Sequence, residues 1–196
     1  IGKVELQYAR EKGYKIKLVA QAIKNADNSI SFFVIPKFIS PDSRLYSVDD
    51  AFNGVITHTS FAETQFFVGK GAGAYPTASA VLSDLSALTY DYRYEYKKLH
   101  QLQTIVPSEN ALLNVLLTDS EDLSLHFPLF QSIEESFTRK DSSYVIGSIT
   151  LNNLKQLIKE PTASVVLRSI EEEVVGEINQ VDAGAFVVDA LEEQAV

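Results

Sequence analysis

The sequence predicts an α+β protein: a mixed or antiparallel sheet with helices, followed by a small α+β sandwich. Three observations carry this. Four segments between residues 15 and 68 have strand-like patterning and short connections. A glycine-rich turn then leads into text with helical spacing. Beyond Pro107, strand-like and helix-like segments alternate to residue 170. Charge divides the chain in the same place. Residues 1–100 hold 12 Lys and Arg against 10 Asp and Glu, whereas residues 101–196 hold 5 against 16. Two modules are therefore expected, 1–98 and 99–196.

In order along the chain, "VELQYAREKGY" reads as a short helix ended by Gly13. "KIKLVAQAI" alternates charged and apolar residues, the period-two mark of a half-buried strand. On that alternation, Lys15 and Lys17 are expected to face solvent. An "NADN" turn precedes a second strand, "SISFFVIPKFI", and Pro41, Asp42 and Ser43 mark the loop that follows. "FNGVITHT" and "TQFFV" supply two more strands. From Thr77 to Leu88, apolar Ala78, Val81, Leu82, Leu85 and Leu88 recur at helical spacing, with Pro76 in the first turn where its missing N–H costs nothing. Alternating tyrosines in "TYDYRYEYKK" read as a helix continuation or linker strand, the charges around them nearly cancelling.

In the second module, "ALLNVLLTD", "SYVIGSIT" and "ASVVLRSI" are expected strands. "HFPLFQSIEESF" and "LNNLKQLIKE" are expected helices, the latter stopped by Pro161. "VDAGAFVVDALEEQAV" supplies a last strand and a loose acidic end.

Composition narrows the function classes. The 196 residues are 45% hydrophobic and 22% charged, ordinary for a soluble globular protein. A net charge of −9, concentrated in the second half, disfavours nucleic acid and anionic membranes, which clustered basic charge holds. No apolar run approaches the roughly 20 residues that span a bilayer. With no cysteine, a reducing cytoplasm is the expected location. His58, His100 and His126 lie far apart, so neither a histidine metal site nor a histidine triad is expected. The chain opens on Ile1 and contains no methionine, which suggests a piece of a longer protein.

The turn "GKGAG", residues 69–73, follows a strand and precedes a helix. Glycine permits positive φ and lets another group approach bare backbone. A helix N-terminus adds unpaired N–H groups and partial positive charge. The pattern is neither the dinucleotide fingerprint nor a P-loop, so its residues alone leave a phosphate or carboxylate cradle and a structural turn both open.

"YAREKGYKIKLVA", "FNGV" and above all "GKGAGAYPTASAVLSD" resemble the catalytic domain of homoserine dehydrogenase. That family's stretch reads tyrosine–glycine–proline–glycine–alanine–glycine, two variable residues, then Pro-Thr-Ala-Ser-Ala-Val. The resemblance covers roughly residues 4 to 90. It implies an NAD- or NADP-dependent oxidoreductase interconverting L-homoserine and L-aspartate 4-semialdehyde, in threonine and methionine biosynthesis. It also implies a homodimer whose N-terminal Rossmann domain is absent from this chain. Gly71, Ala72 and Gly73 match the turn that meets the dinucleotide, and Thr77 matches the helix start, with Gly73 as the closest expected contact. Lys70 departs from the pattern, replacing a proline, either as a solvated loop lysine or as a contact to phosphate or substrate carboxylate. The family's catalytic lysines and amine-binding acids match nothing here, so this chain alone is expected to be inactive.

Many such enzymes end in an ACT regulatory domain, a βαββαβ module, and the order in residues 110–169 is similar. Asp119 and Pro128 occur without the glycine of the usual ACT turn. An amino-acid effector, threonine first among them, is the expectation this raises. The competing readings are a non-catalytic amino-acid sensor and a structural domain whose glycine turn binds nothing.

Overall fold

The computed structural model describes residues 1–90, 92, 104–120, 122–139, 142–159, 162–170 and 185–189. Helix α1 (Lys3–Lys12) precedes strands β1 (Lys15–Lys24), β2 (Ile30–Ile39), β3 (Phe52–Thr59) and β4 (Glu63–Lys70). Helix α2 (Ala74–Leu88) follows, then β5 (Leu112–Asp119), β6 (Phe130–Arg139), β7 (Ser142–Thr150), α3 (Leu151–Leu157), β8 (Ala163–Ile170) and β9 (Ala185–Asp189). The expected boundary at 98/99 and most of the tyrosine stretch lie outside the described residues.

Strands from both parts of the chain join one nine-stranded sheet, in the order β4-β3-β9-β1-β2-β8-β5-β7-β6. Neighbours are antiparallel except β2 and β8, which run parallel and share the single aligned pair Lys37–Leu167. The last strand, β9, returns to the first part and sits between β1 and β3.

Both faces of the β8-β5-β7 region are covered. On one, Leu113, Val115, Leu117, Val145, Ile149 and Leu167 pack under Leu151, Leu154 and Leu157 of α3. On the other, Leu116, Ile146, Val166 and Phe38 pack against Ala9 of α1, with the Tyr8 ring tilted against that of Phe38, their centroids 5.2 Å apart. A third cluster joins Val19 and Ile39 to Leu45 and Val48, on and beside the 3-10 turn Arg44–Ser47.

Glu5 ties α1 to this frame. Its buried carboxylate accepts the Gly2 N–H at 2.8 Å and the Thr118 hydroxyl. Burial alone would raise this carboxyl's pKa. Hydrogen bonds from Thr118, its own and Gly2's backbone, and Ser164 outweigh that and hold it below the ordinary range.

Two expectations are corrected. The segment "HFPLFQSIEESF" is not a helix: Leu123–Leu129 is 3-10, with Pro128 near its end, and Phe130–Arg139 is edge strand β6. Its spaced apolar residues serve a strand whose register with β7 shifts twice, and pairing with a neighbour overrode local spacing. Second, Lys17 does not face open solvent, and Lys15 is only partly exposed. Lys17, Val19, Gln21 and Ile23 form the covered face of β1, whereas Leu18 on the opposite face is exposed. Lys17 is only 7% exposed, and its ammonium donates to the Val48 carbonyl and to Asp49 at 3.1 Å. Lys15 donates to the same carboxylate at 2.6 Å. The long aliphatic stem lets a lysine lie on a buried face while its charged head reaches a partner at the rim.

Candidate functional site

Strand β4 continues beyond the expected "TQFFV" through Gly69 and Lys70, paired with Asn53 and Phe52 of β3. Gly71 extends the ladder by donating its N–H to the Ala51 carbonyl at 3.1 Å. A Cβ at Gly71 would lie 1.9 Å from the Asn53 side-chain nitrogen, so Asn53 lies close against the bare backbone there. Gly73 differs. Its φ of 114° and ψ of 155° belong to a region essentially closed to other residues, and it is the N-cap of α2. The Gly73 carbonyl accepts both the N–H of Thr77, at 3.1 Å, and its hydroxyl, at 2.8 Å. Thr77 thus locks the first turn, and no side chain caps the amides at its start.

Gly71, Ala72, Gly73 and Thr77 are brought together in one exposed turn. Lys70 places its ammonium 5.4 Å from the Phe52 ring centroid, a cation–π contact on the same exposed edge. The helix that follows is apolar yet uncovered. Val81, Leu82, Leu85 and Leu88 are 53%, 65%, 54% and 71% exposed, and no residue of α2 is buried. Asp84 is its one charged residue. Among the described residues no three His, Cys, Asp or Glu side chains gather as metal ligands.

A family model described as homoserine dehydrogenase matches residues 1–86, the segment holding α1, the four-strand series and nearly all of α2. Over these residues the chain is similar to homoserine dehydrogenases. A homoserine dehydrogenase of Synechocystis is 40% identical over 88 residues, covering 43% of this chain and 20% of that protein. That of Corynebacterium glutamicum is 25% identical over 174 residues, covering 85% of this chain and 37% of that protein. An NAD(+)-dependent homoserine dehydrogenase of Pseudomonas canavaninivorans is 37% identical over 81 residues, covering 41% of this chain and 23% of that protein. The chain therefore spans well under half the length of these relatives. A crystal structure of a homoserine dehydrogenase from Thiobacillus denitrificans superposes with a TM-score of 0.59 at 23% identity, over 84% of this chain and 44% of that one. This likeness is one of fold, and it takes in both parts of the sheet.

Sequence reasoning missed the role of Asn53, which wedges against Gly71, and the burial of Lys17. No local pattern marks Asn53. It matters only through its pairing opposite Gly69.

Proposed function

We propose that this chain is part of an NAD(P)-dependent oxidoreductase that interconverts L-homoserine and L-aspartate 4-semialdehyde. The observation that carries the reading is the exposed, uncapped glycine turn at the head of an uncovered apolar helix, within the segment the family model matches. The residues present fit a dinucleotide. Gly73 holds a backbone shape closed to side chains, and a Cβ added at Gly69 would meet only open space. In this reading Gly71, Ala72 and Gly73 offer bare backbone to the cofactor, Thr77 fixes the helix start, and the first-turn amides supply partial positive charge for phosphate. When bound, the nicotinamide accepts or donates the hydride. The apolar side of α2 packs on the Rossmann domain of a longer parent chain. We assign catalysis to parent residues outside this sequence.

The test is kinetic. In the parent enzyme, Gly73→Ala is expected to raise the KM for NAD(P) about tenfold, for a strain of roughly 1–3 kcal/mol at such a backbone position, with the KM for homoserine little changed. An unchanged cofactor KM would remove the turn from the site. The 196-residue chain by itself is expected to give no NAD(P)-linked homoserine oxidation, followed as nicotinamide absorbance. Measurable turnover would overturn the assignment of catalysis elsewhere.

The reading extends to a homodimer, supported by apolar Leu18, Phe32 and Val34 exposed on one face of β1 and β2. It extends also to an ACT-like regulatory module bound to an amino acid such as threonine. The order β8-β5-β7-β6, antiparallel throughout, supports that module, although a 3-10 turn stands where its first helix is expected. Calorimetry with threonine, methionine, isoleucine and lysine tests it, and no heat from any of them would end it. A cytoplasmic location fits this biosynthetic role. No helix among the described residues is long and apolar enough to cross a membrane.

A further inference from the structure

The glycines of the turn do not share one reason for being glycine. Gly73 needs its φ of 114°, and a Cβ at Gly69 would meet only open space. Gly71 is different from both. Its φ lies outside the positive region, so backbone shape alone would admit a side chain. What excludes one is Asn53, whose amide nitrogen stands in the space a Cβ would take.

Register brings Asn53 there. It pairs directly with Gly69 of β4, and Gly71 is the diagonal neighbour two residues further along the same face. Gly69 has no side chain to hold Asn53 upright, and the amide leans along the strand onto Gly71. The main chain closes the same corner, the Gly71 N–H donating to the Ala51 carbonyl at 3.1 Å. Nδ2 is the end nearest Gly71, whereas Oδ1 lies 3.6 Å from the Cβ position. This half-buried amide forms no hydrogen bond among the described residues. A carboxamide carries two N–H donors and an accepting oxygen, and side chains turned inward normally use them. Here the chain gives up a side chain at position 71 to seat an amide, and leaves that amide's donors unspent.

We infer that Asn53 is a further cofactor contact at this turn, its Nδ2 donating to a pyrophosphate oxygen of the bound dinucleotide. The inference rests on the dehydrogenase reading above. The donor end of the amide lies over the turn that leads into α2, whose uncapped first-turn N–H groups suit the same anion. Hydrogen bonds to an ionised oxygen belong to the stronger class. On this side Gly71 is the seat of the amide and makes no contact of its own, so residues 53 and 71 serve one hydrogen bond between them.

Direct binding to the parent enzyme tests this. NADH and NADPH are the probes, followed by nicotinamide fluorescence with no turnover. Asn53→Ala should weaken binding about tenfold, the worth of one hydrogen bond to a charged group. Asn53→Asp, equal in size but negative and without a donor, should weaken it further. Gly71→Ala displaces the amide and should cost about the same tenfold. The double variant should then bind no more weakly than either single one, because both remove the same bond. In the 196-residue chain, Asn53→Ala should keep the wild-type urea midpoint, since the amide bonds nothing in the fold. Wild-type affinity in Asn53→Ala or Asn53→Asp, additive losses in the double variant, or a clear fall in that midpoint would each overturn the inference. Gly73→Ala separates it from the reading beneath it. Weakened binding there, with wild-type affinity in Asn53→Ala, sinks the Asn53 contact alone, whereas wild-type affinity in both removes the whole turn from the cofactor site.

Discussion

Leu113, Leu116, Leu117 and Leu167 in β5 and β8 have no exposed surface, whereas the leucines of α2 lie mostly in solvent. Residue type does not separate the two sets, and cover does. The β8-β5-β7 region is closed by α1 on one face and α3 on the other. α2 follows the edge strand β4 and buries none of its residues. One region spends its apolar surface on its own fold, and the other carries apolar surface that lies exposed among the described residues. Exposed apolar stripes of this kind mark contacts with another body. The proposed docking of a cofactor domain at the glycine turn, and not on the packed half, rests on this contrast.

That contrast is broken most severely at its buried end. Leu116 lies under α1 with Ile146, Val166 and Ala9. Leu116→Ala is expected to cost about 2–5 kcal/mol in urea unfolding of this chain, the range for a large-to-small change in a closed core. A loss below about 1 kcal/mol would mean that α1 does not seal this face.

A smaller effect is expected at Glu5, which holds α1 down. Glu5→Gln should cost about 1–3 kcal/mol at neutral pH, because a hydrogen-bonded buried carboxylate is replaced by a poorer acceptor. The pH dependence follows from the direction of its shift. A carboxyl whose folded pKa lies below its unfolded value stabilises the fold above the unfolded pKa, and that contribution is lost as pH falls through the folded value. Urea midpoints between neutral and strongly acid pH should fall more steeply for the wild type than for Glu5→Gln. Parallel curves would show that Glu5 contributes nothing through its charge.

Much of this contrast was legible in the sequence, for a physical reason in each case. β3 occupies the expected "FNGVITHT", because period-two text bounded by turn residues leaves few alternatives. α2 was legible from its spacing and from Pro76, but its lack of cover was not, since periodicity reports an apolar face and never what lies against it. The face of β1 was read backwards. Charges at Lys15 and Lys17 suggested outward positions, yet Val19 and Ile23 continue that same face inward. The strand β6 was lost to helical spacing around Pro128. Gly147 in β7 held an unused signal. A Cβ there would come within 2.2 Å of the Ser132 carbonyl oxygen of β6, and an isolated glycine in a strand is a mark of such close backbone approach. At the glycine turn, spacing gave the residues, and only the resemblance gave their use.

The smallest expected effect is the most informative about α2. Leu85→Ala removes an exposed side chain and substitutes a better helix former, so this chain's stability should change by no more than about 0.5 kcal/mol. In the parent enzyme the same change should matter, because there the helix is expected to be covered. Urea unfolding of the two proteins, with and without the substitution, separates the cases. A loss confined to the parent would identify α2 as a docking surface. A loss of about 2 kcal/mol or more in this chain alone would mean that the helix already packs against its own sheet. Equal indifference in both would leave its apolar side without a partner and remove the chief support for placing a cofactor domain there.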